Sequence, residues 1–379
     1  MRHPYDSYRS LFPILSTHVY LASCSQSALA QPVSYAIEEY HHHLLTMGNN
    51  WSLAMERMEA TRRKFADIIG AEPDEVAVLP SASDAISSLA TSFSYQQGKN
   101  KIVCTELDFP TVGHIWLAQR KFGANVSFIR SSNEMICAEQ YEKEIAHDTL
   151  LTCVPHVCYY NGYKQDLREI ADIVHSKSSL LFVDAYQSAG HIPIHVKEMD
   201  IDILVAGTRK YMLGIPGVAF LYIKKNLAER MEPRVTGWLG QKKTAMFDIC
   251  KIAPEVGARR FETGTPSFIS MYAAHAALEL LHNVGVHNIY AYLQEVTRFA
   301  LAYGREKGLC ISGPQSAEYR SSLISFYVGN ASEVEMRLKE KNIVVSARKD
   351  VIRIAPHFYN TKEEIKYAID ELIALINSR

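Results

Sequence analysis

The sequence has no excess of either charge and no long apolar run. Forty Lys plus Arg face 41 Asp plus Glu in 379 residues, which leaves a formal net charge of -1. Such a balance provides no global field to attract nucleic acid or an anionic membrane. No apolar run reaches the ~18 residues of a membrane span. We therefore expect a cytoplasmic protein that binds neither nucleic acids nor membranes.

The cysteines and histidines also lack the spacing of a structural or metal site. The seven cysteines are scattered without a C-x-x-C pair, which excludes a disulfide framework and predicts reduced, buried thiols. His41, His42 and His43 are adjacent, but neighbouring residues on a helix point about 100° apart and cannot converge on one ion. The sequence predicts no metal site.

The chain instead alternates short apolar runs with amphipathic segments. Several of the runs are almost continuously apolar, as is typical of strands that are covered on both faces. Residues 166–177 repeat apolar side chains at helical spacing, as a helix packed on a sheet does. This order predicts an α/β fold with a mostly parallel seven-stranded sheet and helices on both faces. The predicted strands are 75–80, 101–106, 125–130, 150–157, 180–186, 203–207 and 217–223.

The pattern changes after about residue 257. Two long helical segments, 268–283 and 286–306, are followed by short strands, a helix at 331–341 and a final helix. Thr361 and Glu364 have the spacing of a capping box at the start of that last helix,. We predict an N-terminal arm (1–30), a large α/β domain (31–257) and a smaller α+β C-terminal domain (258–379).

Chemically useful residues follow several predicted strands, where open α/β sheets bind their ligands. Ser81–Asp84 precedes a helix and has the small residues of an anion site, although an ordinary N-cap by Ser83 or Asp84 fits the same residues,. Phe109 follows the next strand, either as a platform for a ring or as a core residue,.

Asp184 and Lys210 carry the strongest signal. Asp184 ends an apolar strand, and a buried acid needs a positive partner, either a salt bridge or a protonated pyridine ring. Lys210 follows the next strand, where desolvation lowers the pKa of a lysine towards the neutral amine that forms imines. An isolated surface lysine is the alternative, and the whole set of residues argues against it.

The order of these segments resembles the class V aminotransferase superfamily of fold-type I pyridoxal-phosphate enzymes. This superfamily includes cysteine desulfurases, kynureninase and isopenicillin N epimerase-like proteins. The resemblance extends from VYLASCSQS (19–27) to RIAPHFYNTKEEI (353–365). It implies pyridoxal 5'-phosphate as cofactor, a small amino acid as substrate and a homodimer whose subunits share active sites.

The resemblance also implies roles for the residues that bind the cofactor ring. VDAYQSAGHIP (183–193) is similar to the segment in which Asp184 holds the pyridinium nitrogen and Gln187 the ring hydroxyl. GTRKY (207–211) resembles the segment of the Schiff-base lysine, here Lys210. Members often carry Ser and His at the positions of Gly207 and Arg209, and Arg209 is here a candidate phosphate contact.

Further motifs imply contacts to the phosphate and to the substrate. SASDA (81–85) is similar to the phosphate turn, with Ala82 and Ser83 as contacts. In RRFETGTPSF (259–268), Thr265 would reach the phosphate in the partner subunit. Arg353 would bind the substrate carboxylate bidentately, with Arg259 or Arg260 as the next candidates. In HVCYYNG (156–162), Tyr159 would lie near the ring.

The reaction is less sharply indicated than the cofactor. Cysteine desulfurases carry a nucleophilic cysteine between the two C-terminal strands, whereas IVVSARKDVIRIAP has no cysteine and almost no loop. We therefore expect a lyase that eliminates a β-substituent, C–S lyase-like but without a persulfide cysteine. An aminotransferase, an amino-acid epimerase and a kynureninase-like hydrolase are the alternatives. A non-catalytic binding protein of this fold is disfavoured by Lys210, Asp184 and Arg353.

Overall fold

The computed structural model of the protein describes residues 4–95, 98–242 and 248–377. Its helices are α1 (Asp6–Arg9), α2 (Gln31–Met47), α3 (Trp51–Ile69), α4 (Ala82–Thr91), α5 (Pro110–Ala118), α6 (Ala138–Glu144), α7 (Leu167–Ser176), α8 (Lys225–Ala228), α9 (Phe268–Val284), α10 (Val286–Glu306), α11 (Ala331–Glu340) and α12 (Lys362–Asn377). Its strands are β1 (Val19–Tyr20), β2 (Val76–Leu79), β3 (Lys101–Thr105), β4 (Asn125–Ile129), β5 (Thr149–Pro155), β6 (Leu180–Asp184), β7 (Ile203–Gly207), β8 (Ala219–Ile223), β9 (Ile311–Ser312), β10 (Ile324–Tyr327), β11 (Ile343–Val344), β12 (Ser346–Arg348) and β13 (Val351–Ile354).

The seven predicted strands form one central sheet in the order β2-β8-β7-β6-β5-β3-β4. The contacts among β3 to β7 are parallel, and β8 runs antiparallel to both neighbours. Helices cover both faces. Phe65 and Val174 belong to the same buried cluster as Val103 on one side, and Leu89 and Trp116 to the same cluster as Ile102 on the other. The predicted fold class is therefore confirmed.

The C-terminal segment adds a four-stranded antiparallel sheet in the order β12-β13-β10-β9. Its apolar side packs with α10, α11 and α12. The N-terminal segment joins this part of the chain through β1, which pairs in parallel with β11. Helix α9 packs on α2 and α3 instead. The division into an arm and two domains stays a prediction.

Two local predictions can be compared with the structure directly. The capping box of α12 is confirmed, because Thr361 N donates to Glu364 Oε2 at 2.9 Å and Glu364 N donates to Thr361 Oγ1 at 3.1 Å. The prediction of buried thiols is wrong for three of the seven free cysteines, since Cys137, Cys250 and Cys310 are exposed. None of these three cysteines lies in a strand, whereas Cys104 and Cys153 lie in β3 and β5 of the central sheet.

No helix in the described part of the chain has both the length and the apolar content needed to cross a bilayer. Within the same residues, no three His, Cys, Asp or Glu side chains are grouped as metal ligands.

Candidate active site

One cavity of ≈ 180 Å³ opens where β5, β6 and β7 end and where α4 and α5 begin. Eight of the ten predicted site residues line it, namely Ala82, Ser83, Phe109, Tyr159, Asp184, Gln187, Arg209 and Lys210. The others lining it are Ser81, Ile86, Thr111, Val112, Pro155, Val157 and Tyr186. Parallel strands bring these distant segments to one edge of the sheet, as the sequence predicted.

Lys210 follows β7 and is 9% exposed. Burial lowers the pKa of Lys210 to about 8, although the charge of Asp184 acts in the opposite direction. Its Nζ lies 4.4 Å from the centroid of the Tyr186 ring and 5.7 Å from that of Phe109. A buried amine with this pKa is partly neutral near pH 7 and can act as a nucleophile or as a base.

Tyr186 is a site residue that the sequence reading missed. A Cβ atom at position 207 would overlap the Tyr186 ring, so the ring takes the space that a side chain on Gly207 would need. This explains why glycine stands where related enzymes often have serine. The sequence could have indicated this residue, because Tyr186 lies only two residues after Asp184 in the same motif.

Asp184 is the last residue of β6, and its carboxylate enters the cavity. Its Oδ1 accepts a hydrogen bond from Tyr186 N at 2.9 Å. Burial raises the pKa of Asp184, while the hydrogen bond from Tyr186 and the charge of Lys210 lower it. A carboxylate in this position is stabilised by a cation placed in the cavity, such as a protonated pyridine nitrogen.

A second buried acid, Asp108, lies behind the cavity lining and was also missed. Its Oδ2 accepts hydrogen bonds from Thr105 N at 2.7 Å and Thr105 Oγ1 at 3.1 Å, whereas its Oδ1 is buried without a partner among the described residues. Burial, and to a smaller extent the charge of Asp184, raises the pKa of Asp108 to about 8. Its only sequence signal was its position directly before Phe109.

The N-terminus of α4 forms the anion-binding end of the cavity. Ser81 is the N-cap, since its side chain accepts a hydrogen bond from Asp84 N at 3.1 Å. The alternative with Ser83 or Asp84 as the cap is therefore wrong. Ala82 and Ser83 lie in the first helical turn, where backbone N–H groups have no intrahelical acceptor and attract anions. Arg209 is exposed and also lines the cavity, where it adds a positive charge.

Two aromatic rings and one amide complete the lining. Phe109 and Tyr159 pack edge to face, with ring centroids 5.2 Å apart. Gln187 Nε2 donates to the Cys24 carbonyl at 3.0 Å, and Gln187 Oε1 is buried without a partner among the described residues. A buried acceptor of this kind is costly unless a ligand supplies a donor.

These residues fit pyridoxal phosphate. The cavity has an acid without a permanent counter-ion in Asp184, an unused acceptor in Gln187, a desolvated amine in Lys210 and an anion site at α4. Each corresponds to a different group of that cofactor, which has a ring nitrogen, a hydroxyl, an aldehyde and a phosphate.

Arg353 does not line the cavity but lies close to it. The side chain is 1% exposed. Its Nη1 donates to the Tyr159 carbonyl at 2.7 Å, and its Nη2 donates to Ser25 Oγ at 2.9 Å and to Ser346 Oγ at 2.5 Å. Its charge also helps to lower the pKa of Lys210, for which burial is the largest cause.

The alternative in which Arg353 points to solvent or pairs with Glu363 or Glu364 is wrong. Glu364 pairs with Arg9 instead. All four residues of β13 are buried, with Ile352 and Ile354 packed among residues of α12 and Arg353 bonded to Tyr159 and Ser25 on the other face.

The other two arginine candidates and Thr265 lie away from the cavity lining. Arg259 pairs with Glu59, and Arg260 Nη1 donates to the carbonyls of Glu229 and Met231, each at 3.0 Å. Thr265 is exposed. Its contact with a partner subunit stays a prediction.

Fold and site together define a fold-type I pyridoxal-phosphate enzyme. The chain belongs to the family Aminotransferase class-V, whose family model matches residues 19–368. It is 50% identical to the uncharacterized aminotransferase YcbU of Bacillus subtilis (strain 168), with 99% of each chain covered. It is 30% identical to a probable cysteine desulfurase of Synechocystis sp. (strain ATCC 27184 / PCC 6803 / Kazusa), which covers 85% of this chain and 81% of the other.

Solved structures agree on the fold. The cystine C–S lyase C-DES, in complex with cysteine persulfide, superimposes with a TM-score of 0.87 at 20% identity, covering 96% of this chain and 99% of that one. A C-DES mutant with glycine covalently linked to its pyridoxal-phosphate cofactor gives a TM-score of 0.88 at 21% identity, covering 96% of this chain and 98% of that one. The predictions of the superfamily, of the cofactor and of an enzyme rather than a binding protein are confirmed.

Proposed function

We propose that this enzyme is an amino-acid lyase that removes the Cα proton of its substrate and expels a β-substituent, with sulfur as the leaving atom. For an S-substituted cysteine, the balanced reaction consumes water and releases pyruvate, ammonia and the thiol. The observation that carries this proposal is that none of the seven cysteines is among the described residues that line the cavity.

A persulfide-forming desulfurase needs a cysteine that can reach its substrate. The turn between β12 and β13, where such a cysteine would sit, contains Lys349 and Asp350 instead. Cys24 is near Lys210, but it is 1% exposed and packs with Tyr211, Leu323 and Ala355. Sulfur therefore leaves with the substrate's own substituent and is not transferred to the protein.

Lys210 is the proposed catalytic base. Pyridoxal phosphate, when bound, delocalises the electron pair that is left on Cα after proton loss. When the cofactor is bound, Asp184 would hold the proton on its ring nitrogen and Gln187 Oε1 would accept from its ring hydroxyl. Because burial lowers the pKa of Lys210 to about 8, its amine can take the Cα proton at neutral pH and return a proton to the departing thiolate.

Arg353 and Tyr159 are the proposed substrate contacts. The guanidinium group of Arg353 is buried and has hydroxyl and carbonyl partners but no carboxylate within hydrogen-bonding distance among the described residues. The substrate carboxylate supplies that negative charge when it displaces the weaker neutral acceptors. Tyr159 then lies between the bound substrate and Phe109.

We further propose a homodimer in which Thr265 binds the phosphate in the partner subunit. Support comes from exposed apolar side chains on α2, where Tyr35 is 60% and Leu45 is 72% exposed, since such residues commonly mark protein interfaces. The division into an arm, a large domain and a small domain, and a cytoplasmic location, belong to the same proposal.

Transamination is the second candidate, and the observation that favours it is the aminotransferase name of the relative with 50% identity. Reprotonation at the cofactor instead of loss of the substituent would give a keto acid that keeps its side chain. Epimerisation and kynureninase-like hydrolysis use the same proton abstraction by Lys210.

The test is a substrate panel on the purified holoenzyme, with S-substituted cysteines, ordinary L- and D-amino acids and kynurenine. We expect pyruvate, ammonia and thiol in equal amounts from an S-substituted cysteine, and no product from Lys210→Ala. A keto acid that retains the side chain, with no free thiol, would assign an aminotransferase. Inversion at Cα or release of anthranilate would assign the other two alternatives.

A further inference from the structure

The turn between β12 and β13 carries two adjacent cations, Arg348 and Lys349. Both side chains are exposed, and neither forms an ion pair with a carboxylate among the described residues. A pair of neighbouring cations without counter-ions repel each other, and this cost is offset when an anion binds between them.

Strand geometry places Arg348 on the same side of the hairpin as Arg353. Ser346 lies directly opposite Arg353 in the antiparallel ladder, and Arg348 is opposite Val351. Directly opposed residues share a face of a sheet, and so do residues two apart on one strand. Arg348 and Arg353 therefore project from one face as diagonal neighbours, with Ser346 beside Arg353 and about 7 Å along the strand from Arg348,.

Tyr159 connects this face to the cavity. Its side chain lines the cavity and its carbonyl accepts from Arg353. The Tyr159 ring packs against the Tyr160 ring at 5.4 Å, and Lys349 Nζ lies 4.2 Å from the centroid of the Tyr160 ring. Burial raises the pKa of the Tyr159 hydroxyl, and the charges of Arg348 and Arg353 lower it. Arg348 is therefore close enough to this cavity-lining side chain for its charge to act on it.

The acidic side chains nearest this turn are directed towards other groups. Asp350 and Glu134 both act on the Tyr327 hydroxyl of β10, and Glu134 accepts a hydrogen bond from it at 2.6 Å. Glu106 pairs with Arg130. None of these three acids forms an ion pair with Arg348 or Lys349 among the described residues.

We propose that this turn selects amino-acid substrates that carry a second negative charge, a carboxylate on the side chain or on the leaving group. Arg353 receives the α-carboxylate, and Arg348, with Lys349 beside it, receives the second anion. The inference rests on the proposed function only in that the substrate is an amino acid held by Arg353. The guanidinium fork of Arg348 suits a carboxylate, and the spacing along the strand suits an extended dicarboxylic amino acid.

A matched pair of substrates separates charge from shape. S-carboxymethylcysteine and its neutral amide, S-carbamoylmethylcysteine, are almost identical in size. We expect kcat/KM of the wild-type holoenzyme to favour the acid, and Arg348→Gln to lower kcat/KM for the acid about fivefold while leaving the amide unchanged. Lys349→Gln should act in the same direction and more weakly. Arg298→Gln, which removes an exposed arginine from α10, is the control and should change neither substrate.

A binding measurement with ligands that cannot react tests the selection for a second negative charge independently of the reaction. Glutarate and its monoamide cannot react, and calorimetry on the holoenzyme should give tighter binding of glutarate that Arg348→Gln weakens and Arg348→Lys largely retains. If this pattern holds while no thiol is released from any substrate, the lyase proposal fails and the anion selection stands. Equal binding of glutarate and its monoamide by the wild-type holoenzyme, or a preference unchanged in both Arg348→Gln and Lys349→Gln, overturns the inference.

Discussion

Arg353 and Tyr159 are joined by a 2.7 Å hydrogen bond from Nη1 to the backbone carbonyl. The next carbonyls of the same segment are held from the C-terminal part of the chain as well. Ser325 Oγ donates to the Tyr160 carbonyl at 2.5 Å, and Arg320 Nη1 donates to the Asn161 carbonyl at 2.5 Å. The C-terminal sheet thereby fixes one wall of the active-site cavity.

Arg353→Lys should weaken substrate binding and leave the cofactor in place. Lysine keeps the charge but cannot bridge a carboxylate with a planar fork. We expect at least a tenfold rise in the substrate concentration for half-saturation, ~1.4 kcal/mol, with an unchanged absorbance spectrum of the bound cofactor. Arg298→Lys, on exposed α10 surface, serves as the control. Unchanged substrate dependence would remove Arg353 from the substrate site and leave it as a clamp on Tyr159.

Lys210→Ala should prevent covalent attachment of the cofactor. Lys210 is the only lysine among the described residues that line the cavity, so no other amine can replace it. Borohydride reduction followed by intact-mass spectrometry should show the added cofactor mass on the wild type and on Lys251→Ala, but not on Lys210→Ala. A cofactor adduct that persists in Lys210→Ala would show that a different lysine is used.

Asp184→Asn should retain the cofactor and lose turnover by orders of magnitude. An amide cannot hold the proton on the ring nitrogen, and the ring then becomes a poor acceptor for the Cα electron pair. Cofactor content by absorbance and kcat by product release measure the two effects separately, with Asp172→Asn on α7 as the control. A fall of less than about tenfold, ~1.4 kcal/mol, contradicts the role given to Asp184.

Gly207→Ser should displace the Tyr186 ring, because a Cβ atom at this position overlaps it. Overpacking of a buried site typically costs about 1–3 kcal/mol, which denaturant titration can measure. Removing the ring in Tyr186→Ala should recover most of the loss in the double variant, since the collision is then gone. Equal destabilisation with and without the Tyr186 ring would show that the two positions are not coupled.

Local sequence patterns were sufficient for the fold and for the centre of the site. The apolar runs of β3 and of β5 to β8 are buried on both faces, so their composition alone identifies them, and the parallel order brings Asp184 and Lys210 to one edge. The surroundings of Arg353 could not be predicted, because its partners Tyr159 and Ser25 are 194 and 328 residues away in the sequence.

The other features that the sequence did not predict have the same physical origin. Strand alternation predicts which face a side chain takes, but not that α12 covers the face with Ile352 and Ile354 while Ser25 and the Tyr159 backbone cover the face with Arg353. The lack of a hydrogen-bond partner for Asp108 Oδ1 among the described residues depends on how loops pack after each strand, and so does the position of the Tyr186 ring. Such contacts leave no periodic signal in the chain.

The stability of the protein should decrease on mild acidification because of its buried histidines. Burial lowers the pKa of His156 to about 3 and that of His357 to about 4, from an ordinary value of 6.5. His357 Nε2 lies 3.0 Å from the Tyr211 carbonyl, and its Nδ1 accepts from Phe358 N at 2.8 Å, so both nitrogens are used by the neutral ring.

The sign follows from proton binding by the two states. Below about pH 6.5 the unfolded chain takes up protons on these histidines while the folded chain does not, so the free energy of unfolding falls by up to ~1.4 kcal/mol per pH unit for each histidine. The fall extends down to the folded pKa values, and above about pH 7 the contribution is constant. His175, whose pKa a hydrogen bond with Asp202 raises, and the buried acids Asp108 and Asp184, whose pKa values burial raises, act in the opposite direction. Burial also lowers the pKa of His191 and of His275, so four histidines favour the decrease.

Urea titrations at several pH values between about 5 and 8 measure this dependence. His357→Gln should reduce its slope, because glutamine can donate to the Tyr211 carbonyl and does not titrate, whereas exposed His114→Gln should leave the slope unchanged. An unchanged slope in His357→Gln would mean that His357 gains a proton in the folded protein as readily as in the unfolded chain.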